Sequence, residues 1–339
     1  MMHGLTAPSP DRKPMRLTVY LLCDTKSYAV LQRAEERART LRRKPIWPHP
    51  MIDRLQRGIA WLMNHIRVNQ IQERVQDGAT VFIKRRRVGG SLVAWFGNRF
   101  LALARSGIWM FVRAGEWVDW EIYCVQLLYP ERPRVKAGHG PSVIVPKACG
   151  VSLRQLLRRN EAIANAFAAA ARELRRVHQI PCSYYDAAWS HGDLHLDNII
   201  YDAATCRAVL IDFDTRHDDR LSALQRHGDD LKVMLLELME LPDEQWHESA
   251  TTLIEEYRDA AVLGELVRQL FVPRGFARIL WYVRTNGAAT RQVERRLEAM
   301  RTIIERVTAD ARSDLDRRSI ATQTKRSVSQ ITSGFDSGR

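Results

Sequence analysis

Paired cysteines are missing. The chain of 339 residues has five cysteines, Cys23, Cys124, Cys149, Cys182 and Cys206, scattered, odd in number and without a Cys-x-x-Cys pair. That pattern argues against a disulfide framework or a thiolate zinc site and favours a reducing compartment. Long apolar runs are missing as well. The stretch from Leu17 to Cys23 is too short to span a bilayer, and the proline-bearing polar start makes a poor signal peptide, so a cytoplasmic location is expected. No internal repeat is present. Acidic residues are in deficit: 39 Asp and Glu stand against 52 Lys and Arg, a net charge of +13. The imbalance favours an anionic partner, whether nucleic acid, phosphorylated glycan, anionic lipid or nucleotide. Arginine dominates the basic set, and its planar fork suits phosphate.

The rest of the composition is ordinary for a globular protein, with 45% hydrophobic and 27% charged residues. This length allows two domains or one bilobal unit with a sizeable core. Two helix candidates lie early, "SYAVLQRAEERARTLRR" and "MIDRLQRGIAWLMNHI", separated by "KPIWPHP". "ATVFIKRRR", Ala79 to Arg87, reads as a strand emerging from Asp77-Gly78. An aromatic-rich stretch follows from Leu92 to Tyr129, and "PSVIVP" is a short buried-type strand. From Ser152 to His178 the spacing predicts helix, with Ile163, Phe167, Ala170, Leu174 and Val177 on one face. Further helices are expected around Asp229–Glu240, Trp246–Leu263 and Glu265–Leu270, with a last group from Gly275 to about Ala311. The Ser/Thr-rich end, 313–339, lacks apolar periodicity and is expected to be disordered.

The densest polar run is "SHGDLHLDNIIYD", Ser190 to Asp202, followed by "IDFD", Ile211 to Asp214. "NIIYD" and "AVLID" are two short apolar strands with a tight connection, "AATCR". Antiparallel pairing would put Asn198 and Asp212 at one open end, with Asp193 on the loop leading in. Two oxygen-bearing side chains there suffice for Mg²⁺, which prefers few protein oxygens plus substrate phosphates. The third group, a carboxylate, is then free to accept a proton.

These residues resemble a known family. "HGDLHLDN" is similar to the H-R-D-L-x-x-x-N catalytic loop of the protein-kinase-like fold, and closer still to the H-G-D-x-H-x-x-N form of aminoglycoside phosphotransferases and lipopolysaccharide-core sugar kinases. "IDFD" matches the metal-binding D-F-G position. The resemblance implies an α+β fold with a small β-containing N-lobe and a larger helical C-lobe. It also implies further parts. "VFIK" supplies Lys84 for the α/β-phosphates, and a helical glutamate should pair with it. In "EWVDWEIYCVQLL" the acid inside the apolar stripe is Glu121, which needs a partner, whereas Glu116 at the helix start can stay solvated. "VIVPKACGVSLRQLL" looks like the hinge, and "ELRRVHQI" like the end of the helix before the loop. In "RHGDDLKVMLLEL" either Asp229 or Asp230 would anchor that loop.

By this resemblance Asp193 would orient or deprotonate the acceptor hydroxyl and His195 would face the transferring phosphoryl group. Asn198 and Asp212 would hold Mg²⁺ on ATP, and Lys84, set by Glu121, would steady the nucleotide. His191 would brace the loop, while Asp197 and Asp202 are expected to be solvated. The implied organisation is a basic helical extension over 1–66, an N-lobe with an aromatic-rich insert over 67–147, a C-lobe over 148–312 and the tail. Bacterial Kdo or heptose kinases are the nearest likeness, from "VFIKRRR", the aromatic insert and "SHGDLHLDN".

That points to an anionic glycan or glycolipid acceptor. It also points to peripheral contact at the inner membrane through Trp95, Phe96, Phe100, Trp109 and Phe111, unless these pack against the first lobe or a second subunit. "KRRR" would grip the acceptor or simply end a solvated strand. No specific nucleic-acid partner is expected, because the helix "RAEERARTLRR" reads as a solvated surface. A protein or aminoglycoside kinase is the alternative, although a +13 chain is a poor match for a cationic drug. One departure stands out. No glycine-rich phosphate loop precedes Lys84, since "NQIQERVQDGATVFIK" contains only Gly78. Asp214 also replaces the glycine of D-F-G. The missing loop keeps open a non-catalytic binding module, whereas acidic residues at the position of Asp214 occur in small-molecule kinases of this type.

Overall fold

A computed structural model describes residues 68–310, apart from Asp77 and Ala162, together with Ser313. The expected extension over 1–66 and the remainder of the tail lie outside the described residues.

The fold is α+β and bilobal. Its first lobe carries a four-stranded antiparallel sheet of β1 (Asn69–Gln76), β2 (Ala79–Arg86), β4 (Lys136–Ala137) and β5 (Ser142–Pro146), in the order β1-β2-β5-β4. β2 is interior to the sheet: Lys84 and Arg86 are buried on one face, while Val81 on the other face is buried and Arg85 is exposed. β1 was not foreseen as a strand, and the reason is visible. It is an edge strand, with Ile71 and Val75 exposed beside Glu73 and Arg74, so it lacks the alternation that marks a half-buried strand. The β1–β2 turn passes through Gly78 at φ 77°.

After β2 the chain forms α1 (Gly90–Leu103), β3 (Ile108–Met110) and α2 (Ala114–Leu128). The buried row of α2 is Trp117, Val118, Trp120, Glu121, Cys124, Val125 and Leu128, a helical stripe that contains one acid. β3 pairs with β11 (Thr215–His217), which lies just beyond "IDFD", so a two-stranded ribbon stitches the lobes together.

The second lobe begins at β6 (Val151–Ser152) and α3 (Leu153–Arg159), whose cap is Ser152 accepting from the Gln155 amide at 3.3 Å. The single helical run expected from Ser152 to His178 is two helices. Asn160 turns left-handed at φ 55°, and α4 (Ile163–Val177) starts beyond it. α4 buries the predicted face; Phe167 and Leu174, both nearly inaccessible, each contribute roughly 2–3 kcal/mol by leaving water. Short β7 (Pro181–Cys182) and β8 (Ala187–Ala188) lead to the hairpin of β9 (Ile199–Asp202) and β10 (Arg207–Leu210). α5 (Ala223–Glu237) opens on a capping box of Ser222 and Gln225. The helix break expected near Leu263 instead falls at Arg258, φ 45°, between α6 (Asp243–Tyr257) and α7 (Ala260–Gln269). There Asp259 caps α7 by accepting from the Ala261 and Val262 amides. α8 (Phe276–Arg284) and a helix over 290–310 complete the lobe. Among the described residues no helix is long and apolar enough to cross a membrane.

Two sequence expectations need correction. Arg86 does not reach outward for an acceptor: it is buried, donates to the Phe111 carbonyl and to Asn69 Oδ1, and lies over the Trp117 ring. Phe111 is likewise buried in the main core, so it is no part of an exposed aromatic surface. α2 covers the β2 face that carries Lys84 and Arg86, through Glu121 and Trp117, which turns alternate members of "KRRR" inward; Phe111 packs on Trp120, following the alternative of packing against the first lobe.

Candidate active site

Three segments far apart in sequence meet at Lys84. β2 delivers the ammonium, α2 delivers Glu121, and the "IDFD" turn after β10 delivers Asp212 and Asp214. Lys84 Nζ lies 2.8 Å from Glu121 Oε1, 2.5 Å from Asp212 Oδ1 and 3.3 Å from Asp214 Oδ1. Glu121 uses its other oxygen to accept from the Phe213 amide at 3.0 Å, so one carboxylate holds both the lysine and the backbone of the turn. Asp212 sits in the left-handed region at φ 68°. Aspartate tolerates this conformation better than most side chains, and such outliers gather at functional sites.

The electrostatics follow from three carboxylates around one cation. Burial works against charge on Lys84, but the carboxylates outweigh it and hold the ammonium well above the ordinary lysine range. Burial, together with the Asp214 and Asp212 charges, lifts Glu121 to about 7 against the pull of Lys84. Burial also works against charge on Asp212, yet Lys84 keeps its carboxyl below the usual range. Asp214 goes the other way, raised by burial and by Asp212 beside it. Ligand oxygens of Glu121, Asp212 and Asp214 all lie within 4.8 Å of one another. One lysine cannot neutralise them, which is the donor set a divalent cation fits.

The loop from His191 to Asn198 is held from beneath. Asp230, midway along α5, accepts from the His191 amide at 2.8 Å and the Gly192 amide at 2.9 Å, and meets His178 Nε2 at 3.1 Å. The choice between Asp229 and Asp230 is thereby settled for Asp230. Asp229 instead faces His217, Lys232 and Arg284. Gly192, at φ 91°, passes so close to the Arg216 backbone that a Cβ would sit 3.0 Å from it. His191 accepts the Asp193 amide on Nδ1 at 3.3 Å and therefore donates from Nε2 to the Ile211 carbonyl at 3.0 Å, fastening the loop to the "IDFD" turn. Glu237 accepts from the Leu196 amide at 2.7 Å and is paired with Arg154.

Asn198 and Asp212 do flank one end of the hairpin: Leu210 pairs with Ile199, and the Ile211 amide donates to the Asn198 carbonyl at 2.9 Å. Asn198 spends its amide nitrogen on the Asp193 carbonyl at 3.0 Å. Among the described residues no donor reaches Asn198 Oδ1, the Asp193 carboxylate or the His195 ring. The structure thus brings Lys84, Glu121 and Asp212 into contact and leaves Asp193, His195 and Asn198 on the adjoining loop with free polar atoms.

Sequence reasoning missed the second layer. Asp214, noted only as a departure from glycine, accepts from Asn69 Nδ2 at 2.7 Å and Trp117 Nε1 at 2.8 Å. Asn69 lies 145 positions away, on a strand that was not foreseen. Trp117 lies four residues before Glu121 on the same helical face, and that spacing was a usable signal. Asp197 and Asp202 are not simply solvated. Asp197 binds Arg154 at 2.8 Å, and Asp202 folds the β9–β10 turn by accepting from Ala204 and Thr205. Gly78 does not substitute for a phosphate loop. Lys84 is five residues along β2 from the Ala79–Gln76 pair, roughly 17 Å at strand rise.

No protein-family model matches the chain, and no curated protein matches it in sequence. Among solved structures it is similar to an ethanolamine kinase of Plasmodium vivax, at 9% identity and a TM-score of 0.36, over 76% of this chain and 88% of that one. A likeness this loose carries no chemistry across, so the functional reading rests on the atoms around Lys84.

Proposed function

We propose that the chain is a phosphotransferase that uses ATP and Mg²⁺ to place a phosphoryl group on an acceptor hydroxyl. The observation that carries this is Lys84 held jointly by Glu121 and Asp212, beside a loop whose Asp193 carboxylate is left unbonded. The residues fit the metal: the carboxylate excess around Lys84 and the unused Asn198 Oδ1 are hard oxygen donors. Asp212 and Asn198 would hold the ion, whose part is to neutralise phosphate charge. Lys84 binds the nucleotide's phosphates, with Glu121 setting its position. Asp193 orients the acceptor hydroxyl and takes its proton, and His195 meets the charge of the transferring group. Phosphoryl transfer needs positioning and charge neutralisation more than covalent chemistry, which this inventory supplies.

For the acceptor we propose a lipopolysaccharide-core type of sugar. The support is the H-G-D-x-H-x-x-N form of the loop, the +13 net charge and the exposed Arg85 and Arg87 that follow Lys84. The test is transfer of label from γ-labelled ATP with Mg²⁺ to inner-core glycolipid, an aminoglycoside, ethanolamine and a protein substrate. Label in the glycolipid, lost in Asp193→Asn, is expected. Label in a cationic acceptor instead would overturn the acceptor and keep the kinase. No transfer to any of them, with no thermal shift on adding Mg²⁺ and ATP, would leave the non-catalytic binding module as the reading.

A further inference from the structure

α1 is built inside out. Its core-facing side is small: Gly90, Ala94 and Leu101 are its buried residues. Gly97 lies so close to β3 that a Cβ would meet Met110 Sδ at 2.7 Å. Asn98 brackets the same Met110, donating to its carbonyl at 2.9 Å and accepting from its amide at 2.8 Å. These contacts fix the rotation of the helix. The large apolar side chains are on the other side, with Leu92 60%, Trp95 42%, Phe96 60% and Leu103 61% exposed. At 100° per residue these four and Arg99 fall within an arc of about 100°. Trp95 meets Phe96 edge to face at 4.8 Å, and the Arg99 guanidinium lies over the Trp95 ring at 4.9 Å.

The charge that this segment itself carries has one sign, although Asp218 meets its far end by accepting from Trp109 Nε1 at 3.2 Å. The sequence from Lys84 to Gly115 contains no Asp or Glu. Of its exposed arginines, Arg113 is paired with Glu116, whereas Arg85, Arg87, Arg99 and Arg105 have no acidic partner among the described residues.

We infer that the outer face of α1 docks on an anionic lipid bilayer, lying in the interface with Leu92, Trp95, Phe96 and Leu103 in the acyl boundary and the four arginines on lipid phosphates. Aromatic and aliphatic side chains on one arc of a helix that also carries Arg99, with exposed arginines just before and after it in sequence, match what an interfacial helix needs. Other occupants fit less well. A two-fold contact through this arc would set Arg99 against its own copy. The residues before 68 hold far more Arg and Lys than Asp and Glu, so they share the patch's sign. Nucleic acid would use the arginines and leave Leu92 and Leu103 without a role. The inference does not depend on phosphotransfer or on the acceptor.

The experiment is cosedimentation of the full chain with sucrose-loaded vesicles of phosphatidylcholine, alone or with one quarter phosphatidylglycerol. Binding is expected only with the anionic lipid and should weaken as salt is raised. Trp95→Ser/Phe96→Ser should lower partitioning about tenfold, and Arg99→Glu about fivefold or more, both with an unchanged circular-dichroism melt. Because Arg99 is exposed, its variant still reads the face if the double variant melts early. Absence of binding overturns the proposal. So does binding that both variants retain in full, which would assign it to the residues before 68. A dimer, or an oligonucleotide complex, that the double variant abolishes while vesicles go unbound would assign the face to that occupant instead.

Discussion

The indole N–H of Trp117 donates to Asp214 Oδ1 at 2.8 Å, while the other oxygen of the same carboxylate accepts from Asn69 at 2.7 Å. A glycine at position 214 would leave both donors without a partner. Asp214→Gly should therefore cost about 2–6 kcal/mol in urea unfolding, from two stranded donors at roughly 1–3 kcal/mol each. Asp214→Asn should cost less. A glycine variant as stable as the parent would show that these bonds do not hold the turn in place.

Lys84 is the single cation among three carboxylates, so its loss is an electrostatic event as well as a functional one. Lys84→Met should destabilise the fold by about 3–5 kcal/mol near pH 7.5, the usual penalty for breaking a buried pair. Without the ammonium the remaining carboxyls titrate higher in the folded chain than in the unfolded one. Their cost is thus present at high pH and relieved as they protonate. The melting gap between variant and parent should narrow from pH 7.5 to pH 5, and a gap independent of pH would refute this account.

Asp193 and Asp230 stand on opposite sides of one loop and should separate activity from stability. Asp193→Asn should lower kcat by about 10²–10⁴, with a melting curve that barely moves, because no donor among the described residues holds its carboxylate. Asp230 has three partners and is fully buried. Its asparagine variant should lose several kcal/mol and activity together. Full activity in Asp193→Asn would remove that residue from the proposed chemistry.

The contrast between these two aspartates shows what was readable in advance. The family resemblance called for a helical acid to pair with Lys84, and the apolar stripe picked Glu121 over Glu116, because an acid inside such a stripe demands a partner. Two short apolar strands with a tight connection likewise placed Asn198 and Asp212 at one end. The helix breaks at Asn160 and Arg258 lack glycine and proline and were missed, although asparagine is a known left-handed helix end and Asp259 a known helix start. β1 was hidden by its exposure. The Asn69–Asp214 bond was hidden with it, since nothing local marks contact between an unforeseen strand and a turn 145 positions on. Arg86 was read as outward, and Phe111 was left between membrane contact and packing, for a related reason: which face of a strand or segment is covered depends on neighbours that only the fold supplies.

Beneath the loop, His227 is buried against His178. Burial, then the adjacent His178, depress it to about 3; it bonds the Trp189 carbonyl at 2.9 Å and stacks on His178 at 3.9 Å. An unfolded histidine titrates near 6.5. Between about 6.5 and 3 the unfolded chain therefore binds the proton and the folded chain does not. Stability is full above that window and falls as pH drops through it, by on the order of a few kcal/mol. His227→Gln, which can still donate to Trp189, should flatten the slope of melting temperature against pH between 6.5 and 4. An unaltered slope would place the effect elsewhere.

The carboxylates around Lys84 come from both lobes: Glu121 from the first, Asp212 and Asp214 from the second. Prising the lobes apart would leave Lys84 with Glu121 alone on one side and two aspartates without their cation on the other. The β3–β11 ribbon would open at the same moment. The described region should accordingly melt as one cooperative unit, with calorimetric and van't Hoff enthalpies in agreement, and the first lobe should have no folded life of its own.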